Sequence, residues 1–275
     1  MMNFRERAIH TLLRIRPASE VDQEITEIQA SIGQVRPHWT LLFSSRVRPI
    51  LWITVGLAMF QQTTGINTII YYAPTILMMA GFHQAKGAIL ATLGLGLVNV
   101  LATLVALPLI DRWGRRPLLL GGLVGMCLSL GATGLSFYFN QHLWSGHVAL
   151  ASMFVFIISF AMSLGPICWL IIAEIFPLEI RGVGAAFATS ANWAFNMGVA
   201  MTFLTLIGRL GPSVTFWIFS GVCILVGVFV YRCVPETKGR TLEEIERSLT
   251  PQVDALPRLA RGEISISVAS RGTSK

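Results

Sequence analysis

Long stretches without a single charged residue constrain this chain more than any other feature. No Asp, Glu, Lys or Arg occurs between Arg48 and Lys86, from Gly87 to Ile110, from Pro117 to Ala173, from Gly182 to Gly208, or from Leu210 to Tyr231. A charge at the centre of a bilayer is costly, and a helix needs roughly 20 apolar residues to cross the hydrocarbon core. Four of these runs accommodate one helix each. The run from Pro117 to Ala173 accommodates two, because Asn140-Gln141-His142 through Gly146-His147 interrupts its middle. Six spans are expected, at roughly 49–80, 87–110, 118–139, 148–174, 182–207 and 213–233. The expected fold class is an all-α membrane protein.

Composition agrees. The chain is 53% hydrophobic and 13% charged, against about 25% charged in a soluble domain. A net charge of +7 would suggest a nucleic-acid partner in a soluble protein, but here its distribution gives another reason. Arg46 and Arg48 precede span one, Arg112, Arg115 and Arg116 follow span two, Arg181 follows span four, and Arg232, Lys238 and Arg240 follow span six. The loops of the other side hold only Lys86 and Arg209. The positive-inside rule then predicts that both termini are cytoplasmic, and no nucleic acid is needed to explain the charge.

Three regions are expected. Residues 1–45 form a cytoplasmic helical linker, with apolar residues at helical spacing over Ala8–Ile15 and Val21–Ile32. Residues 46–235 form the six-helix bundle, and 236–275 a cytoplasmic tail that is largely disordered. No apolar stretch follows Met1–Arg7, so the opening is not read as a signal peptide. Cys127, Cys168, Cys223 and Cys233 lie in or beside apolar runs without paired spacing, which reads as structural thiols and neither a metal site nor a disulfide. No cofactor is expected.

Span one is too long and too polar for a plain anchor. Its centre reads Gln61-Gln62-Thr63-Thr64-Gly65-Ile66-Asn67, followed by Tyr71-Tyr72-Ala73-Pro74. Gly65 and Pro74 are places to break or bend a helix. Carboxamides deep in a membrane need partners or a water-filled cavity. Interhelical hydrogen bonding is one outlet; lining a neutral polyhydroxylated ligand is the favoured one, because an amide both donates and accepts. Asn99 in span two fits either role equally. In span four, Gly165-Pro166 is expected to open the helix, and Trp169, one turn on, offers a flat ring suited to the C–H face of a sugar. Asn192-Trp193 repeats the amide and indole pair in span five. The charged motifs fall on one side of the membrane: Asp111-Arg112-Trp113-Gly114-Arg115-Arg116, then Glu174, Glu179 and Arg181, then Pro235-Glu236-Thr237-Lys238-Gly239. They mark topology alone, or they form a charge cluster that holds one conformation of a transporter and breaks in the other.

Taken together, Gln61-Gln62-x-x-Gly65-x-Asn67, Asp111-Arg-x-Gly-Arg-Arg116, Gly165-Pro-x-x-Trp169 with Glu174 and Arg181, Asn192-Trp193 and Pro235-Glu-Thr-Lys-Gly239 resemble the sugar porter family of the major facilitator superfamily. That family includes bacterial sugar–proton symporters and animal facilitative glucose transporters. The resemblance implies helices seven to twelve of a twelve-helix fold, with the sugar held between two six-helix halves. It implies sugar contacts from Gln61, Gln62, Asn67, Asn99 and Trp169, with Asn192 and Trp193 nearby and Phe160 beside the site. It implies an extracellular gate at Tyr71 and Tyr72, hinges at Gly65, Gly165 and Pro166, and a cytoplasmic charge network of Asp111, Arg112, Arg115, Arg116, Glu174, Arg181 and Glu236. Its partners would be a monosaccharide, the lipid bilayer and a missing six-helix N-terminal half.

Two departures, Ala161 where animal facilitators carry an acidic residue and Ser163-Leu164 in place of their Gly-Pro, favour a bacterial-type porter in the inner membrane. No carboxylate lies mid-span, so the carboxylate for a coupled proton would belong to the absent half. The expected function is monosaccharide transport, by sugar–proton symport when completed by helices one to six. The alternative is a truncated or split-gene product that binds sugar or partners another half but does not transport alone. An enzyme is not expected: His83, His142 and His147 sit in loops, and no nucleophile–base pair lies within the spans. A mitochondrial-type carrier is excluded by the offsets of Pro108 to Asp111 and Pro177 to Arg181 and by the absence of a threefold repeat.

Overall fold

The computed structural model describes residues 39–45, 47–81, 84–139, 144–177 and 180–239, and the isolated positions 9, 12, 21 and 25. Among these residues the regular structure is helical, with no strand. Most of the expected linker and tail lies outside the described residues, as do His83, His142 and Glu179 within the bundle region. Within the linker, Ile9, Leu12, Val21 and Ile25 are helical, and a short 3-10 helix runs over Trp39–Phe43.

Among the described residues eight helices follow: α1 (Arg48–Thr63), α2 (Ile66–Met79), α3 (Ala85–Trp113), α4 (Arg115–Tyr138), α5 (Ser145–Ala161), α6 (Leu164–Ile175), α7 (Arg181–Leu210) and α8 (Pro212–Cys233). Among the described residues five segments are long and apolar enough to cross a membrane: α3, α4, the α5–α6 pair, α7 and α8. The remaining span is the α1–α2 pair, of 16 and 14 residues, each short of a crossing alone. The six spans agree with those expected from the charge-free runs to within a few residues.

Two of the six are broken, and each break has an identifiable cause. Between α1 and α2, Gly65 adopts φ 88° and ψ 15°, a left-handed conformation suited to glycine. A Cβ there would also lie 3.3 Å from the Phe219 ring of α8, so Gly65 permits both the turn and the close packing behind it. Pro74 makes no such break: α2 runs through it, as α3 runs through Pro108.

The second break does not fall where the sequence placed it. α5 ends at Ala161, Ser163 takes φ −132° and ψ −95°, and α6 begins at Leu164. Gly165 and Pro166 lie within the first turn of α6, where a missing backbone N–H leaves no helical bond unmade. A proline conflicts with the carbonyl four residues earlier, which here belongs to Met162. The opening therefore appears one turn upstream of the residue that causes it.

Helices in lipid associate through close packing, interhelical hydrogen bonds and small residues. α4 meets α5 at Gly125, where a Cβ would come within 2.4 Å of Ser159 Oγ, and meets the break after α5 at Gly122, where a Cβ would come within 2.0 Å of Ser163 Oγ. Phe156, Phe176, Phe203 and Phe216 are fully buried, with Phe137 stacked on Phe216 at 5.5 Å. α7 and α3 are the least buried of the long helices. Trp193 and Met201 on α7, and Leu93 and Leu97 on α3, stand clear of the bundle.

Candidate functional site

Both helix breaks lie beside one buried cluster of carboxamides. Gln61 and Gln62 end α1 just before the Gly65 turn, and Asn67 begins α2 just after it. Asn192 comes from α7. Gln62 Nε2 donates to Asn192 Oδ1 at 2.9 Å, and Asn192 Nδ2 donates to Gln61 Oε1 at 2.8 Å and to the Ala58 carbonyl at 2.9 Å. Gln61 Nε2 then donates to the carbonyls of Leu164 and Gly165 at 3.0 and 3.1 Å, joining α1 to the first turn of α6. Asn67 Nδ2 closes the turn by donating to Gln62 Oε1 at 2.8 Å.

A residue that sequence reasoning passed over completes the cluster. Asn196 is buried, and its Nδ2 donates to Gln62 Oε1 at 3.1 Å. The signal was present in the sequence: Asn196 lies four residues after Asn192 and so shares its helix face.

Each carboxamide offers two donors and two acceptor sites, and not all are consumed. Among the described residues, Asn67 Oδ1 and Asn196 Oδ1 accept no hydrogen bond, and neither atom is sealed from solvent. The cluster contains no titratable side chain. Its chemistry suits a neutral ligand with several hydroxyls.

The aromatic residues flank this cluster unequally. Trp169 lies on α6 one turn after Pro166 and is 40% exposed, while Trp193, next to Asn192, is 61% exposed. Phe160 lies against Gly165, at 3.1 Å from where a Cβ would be. Tyr72 O–H donates to the Ala200 carbonyl at 3.3 Å, and its ring lies 5.1 Å from Phe203, so it ties α2 to α7. Tyr71 faces outward, 52% exposed. Asn99 stands apart: it is half-buried on α3, and its side chain makes no hydrogen bond to the described residues.

The charged motifs meet at the other functional feature, around the turn between α3 and α4. Gly114 makes this turn at φ 90° and ψ 164°, exposing the first backbone N–H groups of α4. Glu236 fills that helix start: its Oε1 accepts from Arg115 N at 3.0 Å and its Oε2 from Arg116 N at 2.9 Å. A carboxylate there answers both the unpaired donors and the positive end of the helix dipole. Partial burial acts to raise the Glu236 pKa, but backbone N–H groups of Lys238, Arg116, Arg115 and Thr237 outweigh it and hold the carboxyl below its ordinary range. A Cβ on Gly114 would lie 2.9 Å from Glu236 Oε2, so the turn and the cap require one another.

The ion pairs radiate from this cap. Arg115 Nη2 lies 2.8 Å from Glu174 Oε1, and Thr237 Oγ1 donates to Glu174 Oε2 at 2.7 Å. Asp111 is a longer partner of Arg115, at 3.7 Å and largely exposed. Arg116 donates to the Tyr231 carbonyl and lies over the Tyr231 ring. Four expected members form no side-chain ion pair among the described residues: Arg116 and Glu236, bonded as above, and Arg112 and Arg181. Arg181 Nε donates to the Phe176 carbonyl at 3.2 Å, and Arg112 contributes its backbone carbonyl, which accepts from Lys238. The network is thus a capped helix start with one strong ion pair, rather than a ring of salt bridges.

Residues 1–249 match the family described as "Sugar (and other) transporter". The galactose-proton symporter of Escherichia coli (strain K12) is 40% identical over 245 residues, covering 88% of this chain and 53% of that protein. D-xylose-proton symporter-like 2 of Arabidopsis thaliana is 41% identical, covering 89% and 50%. Among solved structures, a double-tryptophan mutant of XylE superposes with a TM-score of 0.74 at 35% identity, covering 89% of this chain and 52% of that one. The proton:xylose symporter XylE bound to 6-bromo-6-deoxy-D-glucose gives 0.71 at 34%, over 89% and 52%. These relatives are transporters and not enzymes, and the chain spans about half their length. The six spans are a half of the major facilitator fold, and the chain is an integral membrane protein that belongs to the sugar transporter family.

Proposed function

We propose that this chain is the C-terminal half of a monosaccharide porter and supplies the polar wall of the sugar cleft. The observation that carries the reading is the carboxamide cluster of buried Gln61, Gln62, Asn192 and Asn196 with half-buried Asn67, beside two helix breaks and with unused acceptors. Irregular backbone within a membrane is tolerated where it lines a cavity. A neutral set of donors and acceptors suits the hydroxyls of a hexose or pentose, and Trp169 offers a ring for stacking. The similarity to a galactose-proton symporter and to a D-xylose transporter of Levilactobacillus brevis supports the same ligand class.

In this reading Asn99 and Trp193 reach the sugar from either side of the cluster. Tyr71 and Tyr72 close the outer mouth, with motion hinged at Gly65 and at the break before Gly165-Pro166. Asp111, Arg112, Arg115, Arg116, Glu174, Arg181 and Glu236 lock the cytoplasmic face, which also holds both termini, in a bacterial inner membrane. Alternating access needs two bundles moving about a central site, so transport requires a second six-helix half. Glu174 and Asp111 lie at helix ends, and the carboxylate for a coupled proton would then belong to that half. The half-length match favours one further possibility, a chain that binds sugar without transporting by itself.

Purified chain in liposomes tests both. Verified monomers should bind a monosaccharide weakly and accumulate none. Accumulation would refute the need for a second bundle. Failure of galactose, xylose and glucose to bind, even with the N-terminal half of the Escherichia coli symporter co-expressed, would refute the sugar site.

A further inference from the structure

The seam between α4 and α8 is closed along one half and open along the other. In the closed half Trp217 Nε1 donates to the Gly131 carbonyl at 3.3 Å, Ser220 Oγ donates to the Cys127 carbonyl at 2.8 Å, and Phe137 stacks on Phe216. Toward Arg115 a groove of about 490 Å³ runs between the two helices, closed at its end by Arg116, which donates to the Tyr231 carbonyl. Leu120, Val124 and Leu128 form one wall, and Ile224, Gly227 and Val228 the other. No acidic residue lines it. Nothing lies within 4 Å of where a Gly227 Cβ would be, so the wall stands open there. From Cys223 to Arg232 the groove extends along α8 for about 13 Å at 1.5 Å per residue. That is close to one leaflet of a core roughly 30 Å thick.

Its charged end is unbalanced. Arg232 borders the groove, is exposed and pairs with no described carboxylate. Arg116 lies with its guanidinium carbon 5.0 Å from the centre of the Tyr231 ring, which also borders the groove; its Nη2 donates to the Tyr231 carbonyl, its Nε has no hydrogen-bond partner, and no described carboxylate pairs with it. The nearby carboxylate of Glu236 is already engaged by the backbone N–H groups of Arg115, Arg116 and Lys238, and that of Glu174 by the Arg115 side chain and Thr237. Two arginines at the mouth of a one-leaflet apolar slot match a phosphate attached to an acyl chain.

We propose that this groove holds one anionic phospholipid, an acyl chain along Leu120 to Val228 and its phosphate at Arg232 and Arg116. The site is separate from the carboxamide cluster and requires only that the chain spans a bilayer. The lipid would bridge the start of α4 to the end of α8, beside the Glu236 cap.

Native mass spectrometry of the full chain, extracted from bilayers of mixed phosphatidylglycerol and phosphatidylcholine, tests this directly. One phosphatidylglycerol should be retained in about tenfold preference to phosphatidylcholine. Arg232→Gln should reduce that preference about fivefold, the effect of one arginine near a membrane surface. Gly227→Leu, which grows into open space, should abolish retention while helical content is unchanged; Val228→Trp serves as a second filling variant if Gly227→Leu unfolds. Equal retention of the two lipids, full retention by a folded groove-filling variant, or displacement by inorganic phosphate alone would overturn the proposal.

Discussion

Replacing Gln62 by Met keeps a side chain of similar length while removing the node on which three hydrogen bonds converge. Asn192 Oδ1 loses its donor at 2.9 Å, and Asn67 Nδ2 and Asn196 Nδ2 lose a shared acceptor at 2.8 and 3.1 Å. Side-chain hydrogen bonds between membrane helices average about 0.6 kcal/mol each, so three give about 2 kcal/mol. Orphaned buried amides raise this toward about 3 kcal/mol. Asn196→Ala removes a single bond and should cost about 0.6 kcal/mol. The assay is reversible unfolding of the full chain in mixed micelles of dodecylmaltoside and sodium dodecyl sulfate, followed by circular dichroism. A double-mutant cycle of Gln62→Met with Asn192→Ala should reveal coupling of about 0.5–1 kcal/mol, as expected of bonded neighbours. A Gln62→Met loss below about 0.5 kcal/mol, or additivity in the cycle, would refute the claim that Gln62 is the node of a connected network.

Three further outcomes are expected. Gly114→Ala forces a Cβ onto a backbone at φ 90° and to within 2.9 Å of Glu236 Oε2; it should destabilise the chain by about 2–3 kcal/mol and open the α3–α4 turn to trypsin at Arg115, and a protected turn would contradict it. Because the folded-state pKa of Glu236 is depressed, its contribution is present above the unfolded carboxylate pKa and lost as pH falls through the folded value. Unfolding free energy should therefore drop on acidification below the ordinary carboxylate range, and Glu236→Gln should flatten that dependence. Trp169→Ala should weaken monosaccharide binding by about 1–3 kcal/mol, as for stacked aromatics elsewhere, with little change in unfolding because the ring is 40% exposed; unchanged affinity would remove Trp169 from the site.

The bilayer explains why so much of the fold could be read from sequence. Lys86, Asp111, Arg115, Glu174, Arg181 and Arg209 punctuate the chain because charge is excluded from the core, so span ends follow from charge positions alone. The α1–α2 break was legible because Gly65 interrupts a run too long to cross straight. The second break was misplaced because a proline acts on the turn before it, and Gly165-Pro166 marks the start of α6 rather than the gap. Asn196 escaped notice although it shares a helix face with Asn192, because its partner Gln62 is known only from the fold. Glu236 was expected in an ion-pair network, yet its main partners are backbone N–H groups. Those donors are aimed by the backbone at Gly114, a conformation that side-chain chemistry does not announce. Arg112 and Arg181 show the converse, since charge and position made them candidates while their nearest described partners are carbonyls or come through their own carbonyl.

The most direct test of the central claim is monosaccharide affinity measured by calorimetry on wild type and Gln62→Met, each co-assembled with the N-terminal half of the Escherichia coli galactose-proton symporter. The account predicts that wild type binds galactose or xylose and that Gln62→Met, compared at equal folded fraction, loses more than about tenfold, equivalent to about 1.4 kcal/mol. Equal affinity in the two would mean that the carboxamide cluster holds the helices together and does not hold the sugar.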